Sequence, residues 1–336
     1  MCSYTATTHK SYDSYWGKWH AWAAAQQPPV DVVRPPPQAL ANFSASLMDA
    51  PGSTKRIVVA GVKSTIAHLT DRGMVEKALQ RGMKKVRPDK ARHDTYYSLD
   101  ALWTQMRKFP WSSLSLASKR QRLLVALSID TLARSGDLAH LYLERVEFTT
   151  QTLTGCRGMF VSFALPKTGG LFSTRLWVQA YTAEPEICSV WLMAQWLRET
   201  PQLRWPSVVL PIRGIDHAFT PIFFNLQKKT SGEPLTAEGV SRLRTAFLES
   251  AGIDTKVFTA HSIRGAAVTA AILAGDGSDA WKENLRVLGR WDGLKTMMRH
   301  YCVPAGVLPP RIRQRDLPTS VSAAMHRPFG RVGGPQ

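Results

Sequence analysis

The chain has 336 residues, with 43 Lys and Arg against 25 Asp and Glu for a formal charge of +18, and 44% apolar residues. That length exceeds the usual single domain, the apolar share is enough for real cores, and so large a basic excess selects a polyanionic partner, nucleic acid ahead of a membrane surface. No apolar run is long enough to span a bilayer and no secretory signal opens the chain, so a soluble, intracellular protein with no membrane partner is expected.

The first element expected is a helix over residues 11 to 25, where Tyr12, Tyr15, Trp16, Trp19 and Trp22 recur at helical intervals, Ser11 is available as cap, and Pro28 and Pro29 stop it. Such a stripe ordinarily faces a core rather than stacking on bases. Residues 38 to 49 repeat the pattern through Leu40, Phe43 and Leu47. Two more helices are expected, through Val58, Val62, Ile66 and Leu69 and from Val75 to Val86. Gly61 to Thr65 imitates the end of a phosphate-binding loop, but its glycine spacing fails and it reads as helix. Residues 1–90 therefore form a small all-α domain.

Charge concentrates over residues 55 to 92, with eleven Lys and Arg against three Asp and Glu. Lys55, Arg56, Lys63, Lys84, Lys85, Arg87, Lys90 and Arg92 are the DNA-contact candidates, because a basic block of this density suits phosphates better than plain solvation. Residues 91–98 read as a basic linker.

A larger domain is expected over 99–308. It opens with a helix through Leu102 and Met106, followed by a long helix from about Ala117 to Leu132 and, after a turn at Arg134, a short helix containing Asp137. Phe160 to Leu165 has strand character, Pro166 to Gly170 is turn chemistry, and Ser173 to Ala180 alternates like a returning strand, which makes a hairpin with Lys167 near its tip. Helices follow from Ile187 to Glu199 and from Ala237 to Ala251, with an irregular Pro-rich stretch from Pro201 to Pro234 between them. Thr259, Ala260 and His261 cap and open an alanine-rich helix ending near Gly275. Asn284 to Leu288 reads as a turn, Leu294 to Tyr301 as a last helix, and 309–336 as an extended Arg, Pro and Gly tail. The fold class is mainly α with a small antiparallel β-hairpin, an α+β second domain following a helical first one.

Cys2, Cys156, Cys188 and Cys302 are scattered and form no C-x-x-C pair, so neither a structural zinc site nor a disulfide framework is expected. The chemistry lies elsewhere. His261 and Arg264 stand one helical turn apart, a spacing that suits a phosphate, and Tyr301 is the only tyrosine after Tyr181. Cleaving a phosphodiester without metal needs cations around the non-bridging oxygens, and guanidiniums grip those oxygens in pairs without losing their protons. Arg134 and Arg264 are the candidates. A phenol with a pKa near ~10 costs about 4 kcal/mol to ionise at pH 7, and the leaving oxygen needs a proton, which Lys167 on a hairpin can deliver. Lys228 or Lys229 could take that part instead.

At these residues the chain resembles the tyrosine recombinase family, DNA-breaking and rejoining enzymes that include phage integrases and the recombinases of DIRS-type retrotransposons. Arg134, with Asp137 three positions later, is similar to the family's first arginine box, and Lys167 falls where the family keeps its catalytic lysine. His261 to Ala267 looks like the second box, and its run into an alanine-rich helix is similar to DIRS-like, VIPER-type elements. Leu288 to Trp291 looks like the box ending in histidine or tryptophan, although Tyr301 follows Trp291 by one residue more than is common, which leaves Arg290 or a one-residue insertion as alternatives. The resemblance covers about residues 11 to 305. It implies that Tyr301 is the nucleophile, that Arg134, His261 and Arg264 hold the phosphate, that Lys167 is the general acid, that Trp291 sits beside them, and that Asp137 supports the site. It also implies no metal and no cofactor, double-stranded DNA as partner, a homo-tetramer on synapsed sites, a role in DNA integration by a mobile element, and a nuclear location in a eukaryote. A non-catalytic DNA-binding derivative and a type IB topoisomerase-like relaxing enzyme are the rivals.

Overall fold

The computed structural model describes residues 6–36, 38–47, 97–150, 156–165, 171–172, 175–181, 183–203, 208–212, 215–226, 232–275 and 278–301. Backbone proximity divides the chain into two units, Met1–Ala91 and Arg92–Gln336. In the first, α1 (Ala6–Ala24) and α2 (Ala39–Ser46) pack around Trp19, which is fully buried. Its ring stacks on Trp22 at 5.3 Å and meets Phe43 edge-on at 5.1 Å, while its indole N–H donates to the Val32 carbonyl at 3.2 Å. Such aromatic pairs add to what burial alone contributes. The helix begins five residues before the expected cap, because nothing between Ala6 and Lys10 breaks a helix, so Ser11 lies inside it. The further helices expected at 58–69 and 75–86 lie outside the described residues.

The second unit opens with α3 (Leu99–Arg107), capped by the Ser98 hydroxyl, and α4 (Leu116–Thr131), capped by Ser115. Leu102 and Met106, and the run Leu123 to Leu127, have no exposed surface. Cations on α4 are buried with partners: Lys119 pairs with Glu199 at 2.7 Å and Arg122 with Glu186 at 2.5 Å. The helix ends on Leu132 in the left-handed region (φ 51°), and α5 (Ser135–Ala139) follows directly.

Three strands, β1 (Val146–Thr150), β2 (Cys156–Val161) and β5 (Leu176–Gln179), form an antiparallel sheet in the order β1-β2-β5. Between β2 and β5, β3 (Ala164–Leu165) pairs with β4 (Leu171–Phe172), so the expected hairpin is present as two short ladders on either side of residues 166–170. Strand β1 was not expected from the sequence, although Val146, Phe148 and Thr150 alternate with Glu147 and Thr149 as a half-buried strand does. The irregular stretch expected from Pro201 to Pro234 holds another hairpin, β6 (Val208–Ile212) with β7 (Ile215–Phe219). Pro206 and Pro211 obscure it, since proline interrupts the strand signal.

Helix α6 (Ser189–Glu199) begins two residues later than expected, behind the Cys188 thiol, which accepts the Trp191 N–H. Burial raises the Cys188 thiol above its ordinary pKa. Helix α7 (Ala237–Ser250) is capped by Thr236, and α8 (Ser262–Ala274) is the alanine-rich helix, buried along its first ten residues. Its small side chains let α3, α4, α9 (Asp279–Leu288) and α10 (Leu294–Tyr301) pack close against it. Helix α9 replaces the expected turn at 284–288. Ser278 caps it, and Trp281 and Leu285, one helical turn apart, are both buried. Among the described residues no helix is long and apolar enough to cross a membrane.

Candidate phosphate site

Three segments of the second unit meet around α8. The first is the turn carrying Arg134. Its backbone N–H donates to the Asp137 carboxylate at 2.9 Å, closing the first turn of α5, and the Arg290 guanidinium donates to the same oxygen at 2.7 Å. Burial alone would raise the Asp137 carboxyl. The charge and hydrogen bond of Arg290, the Arg134 N–H and the Arg134 charge outweigh it and hold the group below the usual carboxylate range. Arg290 also lies over the Phe163 ring at 4.6 Å, and its backbone is left-handed (φ 55°).

The second segment is the start of α8. His261 occupies the N-cap position with helical backbone angles and makes no side-chain cap bond. The expected cap through Thr259 is also absent as a side-chain contact: the Thr259 carbonyl accepts the Ser262 N–H at 2.8 Å and the Ser262 hydroxyl at 2.6 Å. A carbonyl does here what a hydroxyl was expected to do. Arg264, three residues on, has no exposed surface; its guanidinium donates to the Gly289 carbonyl and lies 3.9 Å from the centre of the Trp291 ring.

The third segment is the Leu288 to Trp291 turn between α9 and α10. Trp291 is 3% exposed, and the Arg286 guanidinium donates to its carbonyl at 2.5 Å. Gly289 has to be glycine, since a Cβ there would stand 1.8 Å from the Trp291 ring. Helix α10 then packs on α8 and ends at Tyr301, four positions after the fully buried Met297.

Trp291 thus lies on Arg264 while its neighbour Arg290 turns to Asp137. Lys167, the alternatives Lys228 and Lys229, and the eight basic candidates Lys55, Arg56, Lys63, Lys84, Lys85, Arg87, Lys90 and Arg92 lie outside the described residues, as do the side chains of His300 and Tyr301. The sequence reading missed Arg244. This α7 residue is 1% exposed and donates to the Ser135 hydroxyl at 2.9 Å and the Ala260 carbonyl at 2.6 Å. Its signal was its place in register with buried Val240, Phe247 and Leu248. Among the described residues no cluster of His, Cys, Asp and Glu is suited to a metal ion.

The Asp137 pair gives a testable pH dependence. Because its native pKa is lowered, its stabilisation is complete above the unfolded value near ~3.9 and is lost as pH falls through the native value. Asp137→Asn should cost about 2 kcal/mol at pH 7, since it leaves a mostly buried guanidinium short of its counter-charge. Urea unfolding of both proteins from pH 7 to pH 3 checks this: the gap should narrow on acidification, and a gap independent of pH would rule out the ionised pair.

A mostly helical body with small antiparallel sheets, packed around one buried helix, has the fold of the tyrosine recombinase catalytic domain. XerH site-specific recombinase bound to difH substrate before cleavage is 14% identical with a TM-score of 0.59, over 88% of this chain and 76% of that one. The XerH post-cleavage complex on a palindromic difH substrate is 17% identical with a TM-score of 0.56, over 87% of this chain and 75% of that one. A lambda integrase dimer bound to a COC' core site is 15% identical with a TM-score of 0.51, over 93% of this chain and 94% of that one. No protein-family model and no curated protein matches the chain.

Proposed function

We propose that this chain is a site-specific DNA recombinase that cuts and rejoins strands through a 3′-phosphotyrosyl intermediate. The Tyr301 hydroxyl gives its proton to His261 as its oxygen attacks the scissile phosphorus, the bond to the 5′ oxygen breaks, and Lys167 protonates that oxygen, which leaves as a hydroxyl. A 5′ hydroxyl of another strand reverses the step, so the bond energy stays in the covalent link. Arg134, His261 and Arg264 neutralise the charge that grows on the non-bridging oxygens. Trp291 sits beside them, and Asp137 supports the Arg134 turn. Duplex DNA is the partner, with residues 1–90 and their basic block on its backbone, residues 91–98 as linker to a catalytic domain at 99–308, and four protomers on two synapsed sites. Integration of a DIRS-like mobile element is the biological role that the alanine-rich second box supports.

One observation carries this reading: on a recombinase fold, the helix bearing Arg264 packs against the helix that ends on Tyr301, with the Trp291 ring over Arg264. The test is incubation of the full chain with a library of nicked duplexes and a search for a denaturation-resistant, protease-sensitive DNA adduct. The expected result is an adduct at a defined sequence. The full burial of Arg264 favours a second reading, a recombinase-derived protein that binds DNA without cutting it. DNA binding with no adduct on any duplex would decide for that alternative.

A further inference from the structure

The turn that carries Arg134 is held at two points by guanidiniums that the proposed chemistry does not use: Arg244, outside the boxes, and Arg290, within the Leu288 to Trp291 box. At Ser135 it is held by Arg244, whose other nitrogen reaches the Ala260 carbonyl, next to His261. At Asp137 it is held by Arg290, whose chain neighbours are Gly289, the carbonyl partner of Arg264, and Trp291, the ring that covers Arg264. Ser135 and Arg244 are 109 residues apart in sequence, and Asp137 and Arg290 are 153 apart. Each contact therefore ties separate parts of the chain at the site.

A cation is a costly choice for the Arg244 position. It is 1% exposed, and no carboxylate of the described residues lies within ion-pair distance of it. A methionine of similar length would fill the space without burying charge, and such replacements are commonly neutral or stabilising where only packing is at stake. What methionine cannot do is donate to two segments at once with fixed, planar geometry.

Resting on the recombinase reading above, we propose that Arg244 and Arg290 are positioning residues for strand transfer. They hold the Arg134 turn in register with the start of α8 and with the Trp291 turn, and Arg244 adds a permanent positive charge behind the phosphate site without touching DNA. The requirement is geometric: displacing a phosphate-binding group by about 1 Å can cost roughly 100-fold in rate.

The test compares wild type, Arg244→Lys, Arg244→Met and Arg290→Gln in two measurements on the full chain. One is adduct formation on a saturating nicked-duplex library, set beside affinity for the same DNA. The other is amide hydrogen exchange over residues 134–139 and 260–264. If wild type forms the adduct, Arg244→Met and Arg290→Gln should form it roughly 100-fold more slowly with DNA affinity changed less than about twofold, and Arg244→Lys should recover part of the rate. Wild-type rates in both variants would overturn the proposal while leaving the recombinase reading intact. If wild type forms no adduct, the recombinase reading fails and exchange decides the positioning role. Joint loss of protection in both segments on Arg244→Met supports it, and loss confined to α7 overturns it.

Discussion

Tyr301→Phe should abolish the covalent DNA adduct while leaving DNA affinity within about a factor of two. The substitution removes one oxygen and keeps the ring, so what is lost is the nucleophile and little else. No other described phenol of the second unit is a ready substitute. Burial pushes Tyr142 up to about 12, and it has 1% exposure. Burial also raises Tyr97, more than the nearby Ser262 hydroxyl and Arg244 charge lower it, and burial together with Glu184 raises Tyr181. A raised pKa adds to the roughly 4 kcal/mol that an ordinary phenol already needs for ionisation at pH 7. The required environment is the opposite one, rich in cations, and on the proposed reading Arg134, His261 and Arg264 supply it. Gel separation after denaturation, with and without protease, is the measurement. An adduct of undiminished yield with phenylalanine at 301 would remove this residue from the chemistry.

The second large effect is expected from the smallest possible change. Gly289→Ala would place a methyl group 1.8 Å from one atom of the Trp291 ring and 2.3 to 2.4 Å from two more. The glycine has φ −82°, so backbone strain is no part of the effect. The indole is nearly buried and cannot simply swing into water, so it must shift with the Arg264 guanidinium it covers. Overpacking of this kind costs about 1–3 kcal/mol, and the hydrogen bond from Arg264 to the Gly289 carbonyl is disturbed as well. Thermal unfolding should show a loss of at least about 2 kcal/mol, and adduct formation should fall by more than the unfolded fraction accounts for. An alanine variant as stable as wild type, with unaltered tryptophan fluorescence, would mean that the turn packs differently.

The helices of the second unit were largely legible because their signals are local. Helix α10 has the expected bounds, Leu294–Tyr301, and α4 falls within one residue of them. Elements with mixed signals were not. Two prolines hid the β6–β7 hairpin, and Asn284 close before Gly289 disguised the end of α9 as a turn although Trp281 and Leu285 already marked a buried face. For the site, sequence named the residues of the boxes but not what joins them. Arg244 was counted among the charges of a basic chain and Arg290 was named only as an alternative to Trp291, and nothing local distinguishes a buried arginine from a solvated one except its register with neighbouring apolar positions. Their partners lie more than a hundred residues away, a relation that only the fold creates.

Leu132 carries a consequence of a different kind. A helix that ends in a left-handed residue ordinarily uses glycine there, and an L side chain in that conformation costs about 1–2 kcal/mol. Leu132 adopts it at φ 51° with no exposed surface, and burying a leucine returns about 1.5–3 kcal/mol, so the apolar interior outweighs the strain. Arg134 begins two residues further on. On the proposed reading, the backbone that carries a phosphate-binding arginine is therefore set by an apolar contact that the phosphate never meets. If Arg134 holds the phosphate as proposed, little orienting entropy of its backbone remains to be lost on binding, and better packing around Leu132 would tighten that grip without altering a single charge.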